Sequence, residues 1–465
     1  MADHHHCRGF ARTEQLRSAA EAGRGLPAIE AGMPLPAGTG LDRRAFLLRG
    51  LGLGLAVYTA GRWSGIDALE AGVAQAASGP AAPILLSVFL PGGVDGMSVL
   101  APVGDPRYRK LRPKLALGEG DGTAFSEDHR LRWHPAAAGL AQLHAEGKVT
   151  VLPAVGYDHP DQSHFTSRHY WEVGALDATG RTGWMGRYLD RVGTPDNPLQ
   201  GLALDGRLAP ALASSRVPVA AIGGPSDYDF GAQGIWGDVA EQMLAAMGDI
   251  GAVHAGSGDP ALRVAGAAAV QADRLRAQLA PFRPVHDDAP AYTSPVAYPH
   301  SSESAFPQRL ADLAAMIAAG LPLRCVALTA AGEYDTHDHQ ADALASGLKL
   351  TFDSLLAFQR DLEARGLADR VLIHVWSEFG RRAEENGSLG TDHGAAGVGF
   401  VVGTRASGRM VGEFPGLGAL DKEGNLRATS DFRGVYSALL EQWLSTDAGL
   451  VIPDARRVRR PHLVR

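Results

Sequence analysis

Between positions 325 and 339 the chain passes from an apolar run, Cys325-Val326-Ala327-Leu328, through Gly332 into Asp335-Thr336-His337-Asp338-His339. Histidine beside aspartate is the donor set that a borderline divalent metal such as zinc takes. Asp335 and His339 stand four apart, which puts them on one face if the segment turns helical. A solvated polar loop is the plainer reading of the same residues. The apolar run suits a buried parallel strand, and ligands of open α/β sheets bind beyond the carboxyl ends of such strands.

Other stretches place similar chemistry after similar strands. An expected strand over 84–90 ends in Pro91-Gly92-Gly93-Val94-Asp95-Gly96, where glycines on both sides aim Asp95 over the strand end. An ordinary turn aspartate is the alternative there. After an expected strand over 148–155 comes Asp161-Gln162-Ser163-His164-Phe165-Thr166-Ser167-Arg168. Ser163 reads either as the N-cap of a helix running through Trp171 or as a hydroxyl nucleophile at that helix's amino terminus. Arg168 offers a guanidinium fork for an oxyanion. A third expected strand, over 370–375, leaves Ser377-Glu378-Phe379-Gly380-Arg381 at its end, and Gly390-Thr391-Asp392-His393-Gly394 follows in a polar loop. Asp95, Ser163, Asp335, His339, Glu378 and His393 therefore gather at strand ends or in loops beside them.

The elements that must hold these residues alternate in type. Helical apolar periods cover 136–146, 183–192, 236–248, 259–281, 307–320, 340–365 and 431–443, and further short strands fall near 202–208, 217–222 and 398–402. Alternation of this kind predicts an α/β fold with a mostly parallel sheet sandwiched by helices. The pattern loosens over about 195–305, which reads as a cap or insertion in a main domain over 80–455. With 465 residues, 45% apolar and 20% charged, the composition is globular. The net charge of -7 gives no basic footprint and argues against nucleic acid as a partner. Of the two cysteines, Cys7 and Cys325, only the second remains if the amino terminus is removed, so the mature chain has no internal disulfide.

The amino terminus reads as a separate device. Residues 1–40 are a disordered extension or a start placed too early, with Met33 as the alternative start. Asp42-Arg43-Arg44-Ala45-Phe46-Leu47-Leu48-Arg49 looks like a twin-arginine export signal, followed by a weakly apolar 50–60 and a small-residue cleavage site at Ala74-Gln75-Ala76. Residues 41–77 are thus expected to be a twin-arginine signal peptide that engages the twin-arginine export machinery. Its apolar part is too short for a comfortable membrane span, so no stable span is expected in the mature form, which would be periplasmic or extracellular.

Gly-Gly-Val-Asp-Gly at 92–96, Ser-His-Phe at 163–165, Asp-Thr-His-Asp-His at 335–339, Ser-Glu-Phe-Gly-Arg at 377–381 and Gly-Thr-Asp-His-Gly at 390–394 together resemble one family. It is the exported bacterial family of domain of unknown function (DUF) 1501, itself similar to the alkaline phosphatase-like superfamily. The resemblance covers about residues 80–450. It implies an alkaline phosphatase-like fold and one or two divalent metal ions, zinc favoured, bridging a small-molecule phosphate or sulfate ester. One ion would take Asp335, His339 and His393; the other would take Asp95, the nucleophile Ser163 and a later Asp-His pair. Here the sequence departs from the pattern, because Glu378-Phe379 stands where Asp-His would be. Glu378 can replace the aspartate and Phe379 cannot ligate, so either His164, His337 or Asp392 fills the gap or the second metal is weak or absent. No cysteine lies near Ser163, which excludes a cysteine-derived formylglycine there.

The function that follows is an exported metal-dependent hydrolase or transferase acting on phosphate or sulfate esters. The alternative is a non-catalytic metal-binding or assembly protein on the same fold. A Ser-His-Asp hydrolase is a third class, but Ser163 lacks the Gly-x-Ser-x-Gly elbow that such enzymes use. Replacing Arg43 and Arg44 together by lysine is expected to hold the protein in the cytoplasm, read by cell fractionation. Undiminished export of the double variant would remove the export reading.

Overall fold

The computed structural model describes residue 15 and residues 33–38, 57–58, 82–226, 237–282 and 292–465. The expected extension over 1–40 and signal over 41–77 lie almost wholly outside these, including Arg43-Arg44 and the cleavage site.

The strands that organise the chain are β1 (Ile84–Phe89), β2 (Val149–Gly156), β3 (Gly201–Ala203), β4 (Val219–Ala221), β5 (Cys325–Thr329), β6 (Val371–Trp376), β7 (Arg381–Glu385), β8 (Thr391–His393) and β9 (Gly397–Val402). The main sheet has nine strands in the order Val57–Tyr58, β4, β3, β5, β1, β6, β9, β2, Ser430–Asp431. From β4 to β6 every pairing is parallel. β9 runs antiparallel to both β6 and β2, so β2 points the same way as β6. Val57–Tyr58, inside the expected signal segment, pairs antiparallel with β4 at the sheet edge.

Both faces of the sheet are covered, as continuous apolar strands require. Side chains alternate along β1: Ile84, Leu86 and Val88 enter one core, and Leu85 and Phe89 the other. On the first face lie helices α1 (Ala138–Ala145), α6 (Phe306–Ala318) and α7 (Gln340–Ala364), through Leu140, Leu310, Leu313, Leu348 and Leu355. On the second lie α2 (His164–Val173), α3 (Trp184–Val192) and α8 (Phe432–Gln442), where Tyr436 stacks on Trp184 and meets Trp171 edge-on. The expected α/β class, mostly parallel with helices on both sides, is what the chain forms.

The expected insertion over about 195–305 begins inside the sheet. β3 and β4 extend it beside β5, and what projects is the hairpin of α4 (Gly237–His254) and α5 (Pro260–Leu279). The short strands expected near 202–208 and 217–222 are thus part of the main sheet, which their length alone did not show. No helix among the described residues is long and apolar enough to cross a membrane.

A buried ionic network braces the carboxyl edge of the sheet. Asp95, just past β1, accepts Arg112 Nη2 on Oδ1 at 2.9 Å, and on Oδ2 it takes Arg112 Nη1, Ser98 Oγ at 2.6 Å and Gln340 Nε2 at 2.6 Å. Burial opposes the charge on Asp95, but Arg112 and these hydrogen bonds outweigh it and hold the carboxyl below its ordinary range. Arg112 also donates to the carbonyls of Ala383 and Arg382 at 3.0 Å, tying β7 to the same point.

Removing one partner of a buried pair leaves the other uncompensated. Asp95→Asn is therefore expected to cost about 3–5 kcal/mol at neutral pH, measured by chemical denaturation. The depressed folded-state pKa means that the native contribution is full above an unfolded pKa of about 3.9 and is lost as pH falls further. The deficit of the variant should accordingly hold at neutral pH and narrow below about pH 4. A deficit that stays constant through that window would show that Asp95 is not ionised in the fold.

Candidate metal centre

The carboxyl ends of β1, β2, β5 and β6 converge on Asp335. Six residues past β5, its Oδ1 lies 3.3 Å from His164 Nε2, 3.1 Å from His337 Nε2 and 3.1 Å from His393 Nε2. One atom each from His164, Asp335 and His393 fall within 4.8 Å of one another. Tetrahedral ligands at about 2.0–2.2 Å from zinc stand roughly 3.3–3.5 Å apart, so these separations suit a shared ion.

The tautomers follow from the other ring nitrogen. His393 Nδ1 sits 2.8 Å from the carbonyl oxygen of Gln162, which can only accept. His164 Nδ1 faces Glu378 Oε1 at 2.8 Å, and His337 Nδ1 faces Asp392 Oδ1 at 3.3 Å. His393 Nδ1 therefore carries the proton, and the same tautomer at His164 and His337 would turn three Nε2 lone pairs toward Asp335. Three lone pairs against a carboxylate oxygen repel unless a cation lies among them. Protonating all three rings instead would surround one carboxylate with three imidazolium ions and a guanidinium. Asp335 Oδ2 is also buried without a hydrogen-bond partner among the described residues. The donor set fits a divalent ion.

Two tight features hold the loops. The first is Arg381, fully buried, whose Nε donates to Gly93 O at 2.7 Å and whose Nη1 donates to Thr391 O at 2.7 Å. Its Nη2 reaches Gly92 O, Tyr334 O at 3.0 Å and Asp335 Oδ1 at 2.6 Å. The second is the turn at Gly92-Gly93, with φ of 107° and 73°, left-handed values that favour glycine. A Cβ at Gly92 would stand 2.4 Å from the Asp335 nitrogen, and one at Gly93 2.3 Å from the Phe379 ring.

Asp335 and His393 thus come together as expected, joined by His164 and His337, which sequence offered only as fillers. His339 does not join them. The chain from 335 to 339 is not helical; α7 begins at Gln340, so the four-residue spacing no longer sets one face. His339 takes a left-handed φ of 42° at the N-cap, and its side chain is 79% exposed. Asp95 is engaged by Arg112, Ser98 and Gln340, as described above. Glu378 accepts Gly92 N at 3.0 Å and Gly93 N at 3.0 Å besides facing His164. Burial resists its charge, but His164 and backbone donors hold its carboxyl low. Asp392 orients His337. Ser163 caps α2, its Oγ accepting from Phe165 N at 3.3 Å.

Arg168 lies one turn beyond His164. Its guanidinium stands 4.4 Å over the Phe89 ring, and its Nε donates to Glu172 at 2.9 Å. It lines a cleft of about 420 Å³ with Arg207, Arg309, Asp205 and Trp376, at the carboxyl ends of β1, β3, β5 and β6. Pro91 and Glu333 form the lip of this cleft, and their loops continue into Glu378's donors and into Asp335.

Sequence reasoning missed Arg381, Arg112 and Gln340. Arg381 stood in a quoted motif, but its partners are 288 and 47 residues away, and no local pattern points to them. Arg381→Lys keeps the charge and loses the planar fork with most of its donors. Unmet buried carbonyls make a loss of about 2–4 kcal/mol the expected result, with faster amide exchange at 92–93 and 334–335. Unchanged stability and exchange would show that the loops hold without it.

No curated protein matches the sequence. Among solved structures, the chain is similar to the C-terminal periplasmic domain of EcEptC from Escherichia coli in complex with zinc, with 9% identity, 79% of this chain and 84% of that one covered, and a TM-score of 0.34. It is similar to the PsFucS1 sulfatase from Pseudoalteromonas sp., with 12% identity, coverage of 83% and 72%, and a TM-score of 0.34. It is also similar to an alkaline phosphatase superfamily protein from Vibrio parahaemolyticus, with 8% identity, coverage of 80% and 67%, and a TM-score of 0.32. The family described as protein of unknown function (DUF1501) matches residues 241–432, a stretch that contains Asp335, His337, Glu378, Arg381 and His393.

Proposed function

We propose that the chain is an exported, metal-dependent hydrolase or transferase acting on phosphate or sulfate esters. One observation carries this reading: three imidazoles, each anchored through Nδ1, turn their Nε2 atoms on one buried carboxylate. His164, Asp335 and His393 would hold the ion, with His337 as a fourth donor. A divalent ion there supplies a Lewis acid for a phosphoryl or sulfuryl oxygen. The chain's own residues do the rest. The positive end of α2 begins at His164 and adds favourable potential for an oxyanion. Arg168, Arg207 and Arg309 line the neighbouring cleft and would seat the remainder of the ester. The proposal includes passage through the twin-arginine machinery and action in the periplasm or outside the cell.

A second reading, a metal-binding protein without turnover, is favoured by Ser163, whose hydroxyl faces its own helix rather than a substrate. The two separate on measured hydrolysis of 4-nitrophenyl phosphate, sulfate and phosphodiester by zinc-loaded protein. The enzyme reading expects turnover that Asp335→Asn reduces by at least about a thousandfold, as loss of a principal electrostatic group does. Ser163→Ala then assigns the hydroxyl. A cap loses about 1 kcal/mol of stability and leaves turnover standing, whereas a nucleophile loses turnover by orders of magnitude. Bound metal with no hydrolysis across the three probes would favour the non-catalytic reading.

A further inference from the structure

The resemblance reserves Asp95, Ser163, Glu378 and the residue after it for a second ion. In this chain each of those positions is already filled by protein. A carboxylate has about four lone-pair positions, and Asp95 receives four donors from Arg112, Ser98 and Gln340. An ion at Asp95 would also have to face the Arg112 guanidinium, which is fully buried against it. Glu378 is fully buried too, and Gly92 N, Gly93 N and His164 Nδ1 are bound to its two oxygens. Ser377 Oγ adds a further contact at 3.0 Å. Ser163 Oγ is turned to Phe165 N. Phe379, 2% exposed, wedges its ring 4.8 Å from those of both His164 and His393. It can stand there because Gly93 carries no Cβ.

These contacts also say what became of the displaced ligands. His164, next to Ser163 on α2, turns its Nε2 toward Asp335 and so joins the first ion's donors. Glu378 meets the other nitrogen of the same ring, the arrangement in which a carboxylate fixes a ligating histidine's tautomer and raises its basicity. Resting on the metal-centre reading above, we infer that the chain holds one divalent ion rather than two, with Glu378 as the positioning residue for His164 and the second site closed by the Asp95–Arg112 pair and the Phe379 ring. The centre is then a mononuclear site of three imidazoles and one carboxylate. A clamp by two ions on the attacking and leaving oxygens is not available to it.

The test uses full-length protein purified from zinc-supplemented culture, with metal counted by elemental analysis after exhaustive dialysis. It is repeated after exchange to cobalt(II), read by electron paramagnetic resonance. One equivalent, with the spectrum of an isolated high-spin ion, is the expected result. His164→Gln should then lose the single equivalent. Glu378→Gln should keep it with affinity weakened about 10- to 100-fold, the usual loss for a partner of a ligating histidine. Two equivalents with spin coupling would overturn the inference while leaving the metal-dependent function standing. So would a Glu378→Gln protein that drops from two equivalents to one. No retained metal at all would sink the proposed function itself, and this inference with it. Because the count and the spectrum are taken on the unaltered chain, the outcome does not depend on any variant folding.

Discussion

The Arg381 guanidinium is the point on which the carboxyl edge of the sheet depends. It satisfies carbonyls from the β1 loop, the β5 loop and β8 at once, and it touches the carboxylate that the histidines surround. A planar fork can address several acceptors in fixed directions, which a lysine ammonium cannot. Without a donor set of that shape, those carbonyls would be left buried and unmet, at about 1–3 kcal/mol each.

Three buried carboxylates within this edge are compensated in three ways, and the differences assign their roles. Asp95 has a full complement of donors led by a guanidinium, which makes it a brace. Glu378 is held by backbone N–H groups from the Gly92-Gly93 turn and by an imidazole, which makes it an orienting group. Asp335 alone keeps an oxygen, Oδ2, without a hydrogen-bond partner among the described residues, while Arg381 donates to its Oδ1. A buried acceptor that lacks a donor is incomplete in a way that a buried acceptor surrounded by donors is not.

Much of this could be read from sequence, for a physical reason. Continuous apolar runs announce parallel strands, and the polar residues just past them mark the working edge. That logic found β1, β5 and β6 and brought Asp335 and His393 to one place. Ser163 as a cap followed from its position before a helical period. What could not be read was direction at close range. Asp335 and His339 share a face only in a helix, and the left-handed turn at His339 sends that ring to solvent. His164 and His337 took over because of backbone paths set by Gly92, Arg381 and Gln340, whose partners are tens to hundreds of residues distant. The short strands β3 and β4 were expected near 202–208 and 217–222, but nothing in three residues shows that they join the main sheet.

The antiparallel placement of β9 has a consequence for the order of events during folding. Its reversed direction brings the chain just ahead of it, with His393, back over the edge where the parallel strands end. Contacts at the centre consequently span 58 residues between His393 and Asp335, 214 between His164 and Glu378, and 286 between Gly92 and Glu378. Closures of that length come late, because loop entropy must be overcome before they contribute. The donors do not exist as a set until β1, β2, β5, β6 and β9 have all docked. Metal capture by these residues would therefore mark a completed sheet, and its binding energy would add to the stability of the finished fold rather than guide its assembly.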